Sequence, residues 1–431
     1  MVHDHPKPQT KSDIEYERTR FTRGVLRDSA NYLEDKYGFD FWSAGVDFWL
    51  DSKHNSLALN PGELQPAAPE GQIAEALSTK SRPTIALVID SENWAFANIA
   101  KQIVKQLSAT YDFKIIATEI VDNINQVLMM TEDCDITHFF WRESINLVNF
   151  PSFGFYAESL GSSTDEFKRR FVDSRIITSA VYDHLFLSDE EIAARVPLFN
   201  QILSGYTVSS QRLFDIYGNI SGYPPPSQLA EDGVDLMLFK PQNTHRFNEL
   251  ENRPMVIGWA GNSKWSAERE DFKGFHSILQ PAIEQLQKEG LNIKTCYADR
   301  QNVFIPHDEM PDYYAQIDVY VCPSKIEGTP NPILESMACG VPVVTTDVGV
   351  VPQLLGPLQK QCIVEDRTVE GFTDMLRSLY QRRAVLLPEL SLENLESIQS
   401  WSWSIKVGNF AKFFDDVLQK AAAKRLIGPR G

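Results

Sequence analysis

This sequence of 431 residues has no close pair of cysteines, no surplus of positive charge, and no apolar run near the roughly 18 residues a membrane span needs. The five cysteines (Cys134, Cys296, Cys322, Cys339 and Cys362) are odd in number and lack metal-type spacing. Four sit in or beside apolar stretches, the pattern of buried thiols in a reducing compartment. The first dozen residues, MVHDHPKPQTKS, are polar and hold no apolar stretch of the signal-peptide kind. A cytoplasmic protein is expected. A formal charge of −17 argues against general affinity for nucleic acid or anionic lipid, so no nucleic-acid partner is expected and membrane association is not indicated.

What is present is the composition of a globular protein, 43% hydrophobic and 23% charged, in a chain too long for one ordinary core. Residues 1–82 read as an N-terminal extension and linker. Within them 1–12 are expected to be disordered, and the aromatic-rich stretch 15–51 to be partly helical. Arg20, Arg23 and Arg27 share a helical face there, read as solvated rather than as a membrane- or phosphate-facing patch. Residues 55–82, with NPGELQPAAPEG, are rich in turn formers and read as a linker.

From residue 83 the texture changes. TIALVI (84–89) reads as a short buried strand, and Phe96, Ile99, Ala100, Ile103, Val104 and Leu107 then recur at helical steps. KIIAT, ITHFFW, RIITSAV and TVSS continue the strands to residue 210. YPPPSQ (223–228) breaks the pattern, and a second series follows with MVIGWA, NIKTCYA, DVYVCPS, VPVVTTD and CIVED. Strands that alternate with helices imply mostly parallel sheets covered on both faces. The fold class is therefore α/β, with two doubly wound, Rossmann-like domains at 83–240 and 254–400. An amphipathic helix over 401–425 ends the chain behind a Ser402 cap.

One stretch carries most of the functional signal. EGTPNPILE (327–335) follows a strand and opens a helix, with Asn331 as the expected N-cap and Pro332 as the first helical residue. Glu327 then lies in the crevice beyond the strand's carboxyl end, and Glu335 lies early in the helix. The helix start suits a phosphate, because its N–H groups are unpaired and its partial charge is positive. Two carboxylates flanking such a site want hydroxyl donors. A nucleotide sugar has hydroxyls on both sides of a diphosphate.

The stretch EGTPNPILESMACGVPVVTTDVG resembles the donor-site signature of retaining glycosyltransferases of family four (glycosyl transferases group 1), which have the GT-B fold of two Rossmann-like domains facing a cleft. GVDLMLFKP, VIGWAGNSKW…DFKGF and WSWS extend the resemblance over about residues 84 to 418. It implies transfer of a sugar from a nucleotide-diphosphate donor to an acceptor hydroxyl of a glycan or glycolipid, in surface-polysaccharide or glycoconjugate assembly. Glu335 would accept from the ribose hydroxyls, and Glu327 would hold the donor hexose. The stretch Gly328, Thr329, Pro330 and Asn331 would help it bind the donor. Lys273 would neutralise the departing diphosphate beside Gly261. The family has a basic residue after that glycine where this chain has Asn262, so Lys264 or Arg269 is a candidate replacement. The last helix is implied to cross back to the first domain. No cofactor is expected.

In the first domain, Asn93 and Trp94 open a helix at the sheet's carboxyl edge and are acceptor-side candidates. A catalytic histidine is usual in the family. His138 and His184 are the candidates, each with a satisfied structural role as the alternative, and Arg142 and Asp183 are weaker ones of the same kind. The pair Asp133 and Asp135 imitates a metal-binding Asp-x-Asp but precedes a strand at the wrong edge, so no metal is expected. The rival to an enzyme is a catalytically silent subunit that binds nucleotide sugar and scaffolds a partner.

Overall fold

The computed structural model describes residues 82–265 and 269–427, together with Arg27 and Asn31, with side chains as far as 424. The disordered tail, the partly helical extension and the linker expected over 1–82 lie outside the described residues, Arg27, Asn31 and Arg82 aside.

β1 (Thr84–Ile89) is six buried residues in succession, as suits a strand covered on both faces. It pairs in parallel with both β2 (Asp112–Ala117) and β3 (Ile136–Phe139). β4 (Ile177–Val181), β5 (Gly205–Val208) and β6 (Gln228–Leu229) complete a six-stranded sheet of order β2-β1-β3-β4-β5-β6. The helix Ala95–Leu107 after β1 buries Ile99, Ala100 and Ile103 of the expected stripe together with Ala97, while Phe96, Val104 and Leu107 are half-buried.

β7 (Met255–Gly261), β8 (Ile293–Asp299), β9 (Val319–Cys322), β10 (Val343–Thr346) and β11 (Ile363–Val364) form the second sheet, in the order β11-β10-β9-β7-β8. Successive side chains point to opposite faces, and each face has its own core. Met255, Ile257, Trp259, Val319 and Val321 pack with Leu286 and Leu376. Tyr320, Cys322 and Val343 pack with Tyr314, Leu334 and Met337. A sheet with a core on either face is doubly wound, as the strand spacing implied.

The described residues divide into two compact units. One is drawn from 82–180, 191–206 and 414–427, the other from 181–190, 207–265 and 269–413. The helix Trp403–Ile427 contributes to both. In the first unit its Phe414 meets Tyr111 and His138 edge-on, and Asp415 accepts from the Tyr111 hydroxyl at 2.6 Å. Among the described residues no helix is long and apolar enough to cross a membrane. The five cysteines are free, and all but Cys296 are buried.

One local expectation needs correcting. Asn331 is the first residue of the helix Asn331–Ala338 rather than its cap, which is Pro330. Pro330, with φ of −74° and ψ of 85°, is the last residue outside helical geometry, and no side chain caps the helix.

Candidate functional site

In the second sheet the chain's direction of progress reverses at β7, which has β8 on one side and β9 on the other. Open α/β sheets bind ligands beyond the carboxyl ends of the strands at such a reversal. The loop leaving β7 carries Lys273, and the loop leaving β9 carries Glu327. The structure brings them together: Lys273 Nζ donates to Glu327 Oε1 at 2.6 Å, with side chains 26% and 15% exposed. Burial by itself lowers the pKa of this ammonium, but the charge and hydrogen bond of Glu327 outweigh it and leave the pKa raised. The ammonium also lies 5.3 Å from the centre of the Trp265 ring.

The neighbouring glycine shows why Lys273 is held there. Gly274 has φ of 66°, and a Cβ on it would fall 2.4 Å from the Pro323 carbonyl oxygen. Only glycine combines that left-handed turn with so close an approach to the β9 loop. Arg367 ties the two loops together, with Nε donating to the Pro323 carbonyl at 2.8 Å and a terminal nitrogen to the Asp271 carbonyl at 2.7 Å.

Glu335 is buried, one turn into the helix Asn331–Ala338. Its Oε2 accepts from the Tyr314 hydroxyl at 2.8 Å, and its Oε1 lies 3.1 Å from His307 Nε2. Burial and the adjacent Glu335 charge push the Tyr314 hydroxyl well above its usual pKa, so it stays a donor. An ionised carboxylate has about four acceptor sites, so two remain for a ligand. Sequence reasoning missed Tyr314 and His307. They lie 21 and 28 residues before Glu335, with no periodic relation to it.

The loop between the glutamates is pinned. Thr329 donates through its hydroxyl to the Ser209 carbonyl at 3.0 Å, and the Val350 amide donates to the Gly328 carbonyl at 3.1 Å. After β7, the Asn262 side chain is occupied: its Oδ1 accepts from the Lys264 amide at 3.1 Å and from Gln301 Nε2 at 2.7 Å. Next to it, Ser263 donates twice to the buried Asp299 at the end of β8, through its amide at 3.1 Å and its hydroxyl at 2.7 Å. Lys264 is exposed, and Arg269 lies over the Phe186 ring at 4.9 Å.

The remaining candidates separate. His138 lies on β3, fully buried, with Nδ1 3.0 Å from the Thr178 hydroxyl and Phe140 and Phe414 edge-on to its ring. Burial pushes its pKa down to about 3, which keeps it neutral. Arg142 is buried at the start of the helix Arg142–Asn146, with Nε 3.4 Å from Glu143. Asn93 and Trp94 are exposed, and Trp94 caps the helix Ala95–Leu107. Asp183 and His184 are half-buried in the loop after β4, within the second unit. Asp183 accepts from the Leu185 amide at 2.9 Å. Two residues beyond His184, Phe186 has φ of 62°, a conformation costly for a bulky side chain and frequent at functional loops. Asp133 pairs with Lys114 at 2.7 Å and Asp135 accepts from the Thr84 amide at 2.8 Å, so both have ordinary structural partners. Among the described residues no group of three or more acidic, histidine or cysteine side chains could hold a metal ion.

Residues 277–382, which include Glu327 and Glu335, match the family described as Glycosyl transferases group 1. The putative teichuronic acid biosynthesis glycosyltransferase TuaC of Bacillus subtilis (strain 168) is 29% identical over 96 residues, 22% of this chain and 24% of that protein. The MMP alpha-(1->4)-mannosyltransferase of Mycolicibacterium hassiacum is 24% identical over 239 residues, 52% of this chain and 56% of that one. The chain thus spans about a quarter to about half the length of these relatives. In structure, the sucrose-phosphate synthase of Thermosynechococcus elongatus aligns with a TM-score of 0.56 at 14% identity, covering 80% of this chain and 100% of that one. That likeness is one of fold. The chain therefore has the GT-B fold of glycosyltransferases, with its residues 277–382 matching the family Glycosyl transferases group 1.

Proposed function

We propose that this protein is a retaining glycosyltransferase of surface-polysaccharide or glycoconjugate assembly. It moves a sugar from a nucleotide-diphosphate donor to an acceptor hydroxyl. The observation that carries the reading is the Lys273–Glu327 pair beyond the ends of β7 and β9, beside the start of the helix that bears Glu335. In this reading residues 254–400 hold the donor and 83–240 the acceptor, with the helix over 401–425 returning to the first domain. Glu335 accepts from the ribose, Glu327 from the hexose, and Lys273 faces the diphosphate.

Lys273 has three donors and Glu327 about four acceptor sites, so each can keep its partner and still serve a ligand. The pair also balances charge: an unpaired carboxylate beside a diphosphate would repel it. As the sugar–phosphate bond breaks, negative charge grows on the diphosphate. In this reading Lys273, with the positive end of the helix Asn331–Ala338, stabilises it without reorganising. The acceptor hydroxyl attacks the oxocarbenium-like carbon from the face the leaving group departs, and its proton passes to the leaving phosphate.

The test is a panel of nucleotide sugars with glycan and glycolipid acceptors, the product's anomeric configuration being read by NMR. Transfer with retention supports the proposal. An inverted product overturns the retaining step, and tight donor binding without transfer or hydrolysis supports a silent scaffold instead.

A further inference from the structure

Glu335 carries its carboxylate on two flexible methylenes, and such a group has to be held if it is to meet a ligand in one orientation. Its two oxygens have different surroundings. Oε2 accepts from the Tyr314 hydroxyl at 2.8 Å, on the buried side. Oε1 lies 3.1 Å from His307 Nε2, and the His307 side chain is 32% exposed. The carboxylate thus has one closed oxygen and one open one.

Tyr314 has little room to yield. It is fully buried, and the rings of Tyr313, Tyr320 and Phe239 stand edge-on to its own at 5.2, 6.2 and 6.2 Å. It ends the short helix Met310–Tyr314, which Tyr313 fastens to the sheet. The Tyr313 hydroxyl lies 3.0 Å from the carbonyl oxygens of both Trp259 on β7 and Cys296 on β8. Gly258 leaves space for this contact, because a Cβ there would fall 2.8 Å from Tyr313 Oη and 2.3 Å from Ile317 Cδ1. The adjacent tyrosines divide one task. Tyr313 sets the helix against β7 and β8, and Tyr314 carries that placement to Glu335.

We infer that Tyr314 is a positioning residue of the donor site: it fixes the Glu335 carboxylate from its buried side, so that Oε1 is presented to the ribose hydroxyls. The inference rests on the function proposed above. A carboxylate locked before the ligand arrives does not have to be ordered during binding. Without the Tyr314 hydroxyl, Oε2 would be left beside apolar rings with no donor, and the carboxylate would turn away to find one.

The test compares nucleoside diphosphates with and without ribose hydroxyls. Calorimetry on the full chain uses UDP, GDP and ADP, then the 2′,3′-dideoxy form of each that binds. Y314F keeps the ring and its aromatic contacts, and thermal melts verify its fold. Its affinity for the ribonucleotide falls roughly tenfold, the low end for a hydrogen bond to a charged group, while the dideoxy form binds as it does to wild type. Donor KM rises with little change in kcat, since the ribose is held alike in the ground and transition states. Y314F/E335A binds no more weakly than E335A, because no carboxylate is left to position. The inference is overturned if Y314F weakens both forms alike, if it weakens neither, or if the losses multiply in the double variant. If the wild type binds none of the ribonucleotides, or binds both forms equally, the ribose role of Glu335 falls first and the inference falls with it.

Discussion

Replacing Lys273 with alanine tests the site most directly. Two unit charges about 4 Å apart at an effective dielectric near 20 interact by roughly 4 kcal/mol. Solvent reaches about a quarter of the Lys273 side chain, so part of that is screened. In the proposed reaction, what remains matters most in the transition state, where the diphosphate gains charge as it leaves. Glu327 worsens the loss, because without its 2.6 Å partner it becomes an uncompensated anion beside the leaving group. K273A is therefore expected to lower turnover by about two decades, equivalent to about 2.7 kcal/mol of barrier. Divalent metal should give no full rescue. The K273A/E327Q double variant should be less impaired than the product of the two single losses, with a coupling of about 1–2 kcal/mol. Initial rates at saturating donor measure the effect, and thermal melts show that the fold persists. Transfer by K273A at the wild-type rate would refute the leaving-group role, and independent effects of the two substitutions would refute the pairing.

E335Q keeps the shape of the carboxylate but loses its charge-assisted acceptance, so donor affinity should fall by roughly one to two decades in calorimetry. G328A should lower stability by about 1–3 kcal/mol, seen as a lower unfolding midpoint, because the added Cβ meets the Tyr182 backbone and Ser209. Acid sensitivity should trace in part to His138, whose pKa is about 3 folded against an ordinary 6.5. Its contribution is fully present above the ordinary value and is lost as pH falls from about 6.5 toward 3, at up to about 1.4 kcal/mol per pH unit. Melts of H138N between pH 4 and 7 should show a shallower slope than wild type; an unchanged slope would remove His138 from the account.

The sequence by itself determined the layout of the fold. β1 and β9 are runs of apolar residues bounded by turn formers, and the helix Ala95–Leu107 follows its own 3.6-residue stripe. Such patterns are local, so they can be read without the fold. β6 was not legible because two residues have no period. The placement of Glu327 between a strand end and a helix start was likewise legible, since strand, loop and helix are contiguous there. Lys273 was singled out by resemblance, but its contact with Glu327, 54 residues away, was decided by two adjacent loops folding together. Tyr314 and His307 on Glu335, and Tyr182 on Asp232, are of the same kind. His138 carried no local mark to separate a catalytic from a structural histidine; Phe414, 276 residues on, closes over it only in the folded chain. Hydrogen bonds and burial depend on neighbours in space, and only the tertiary structure supplies them.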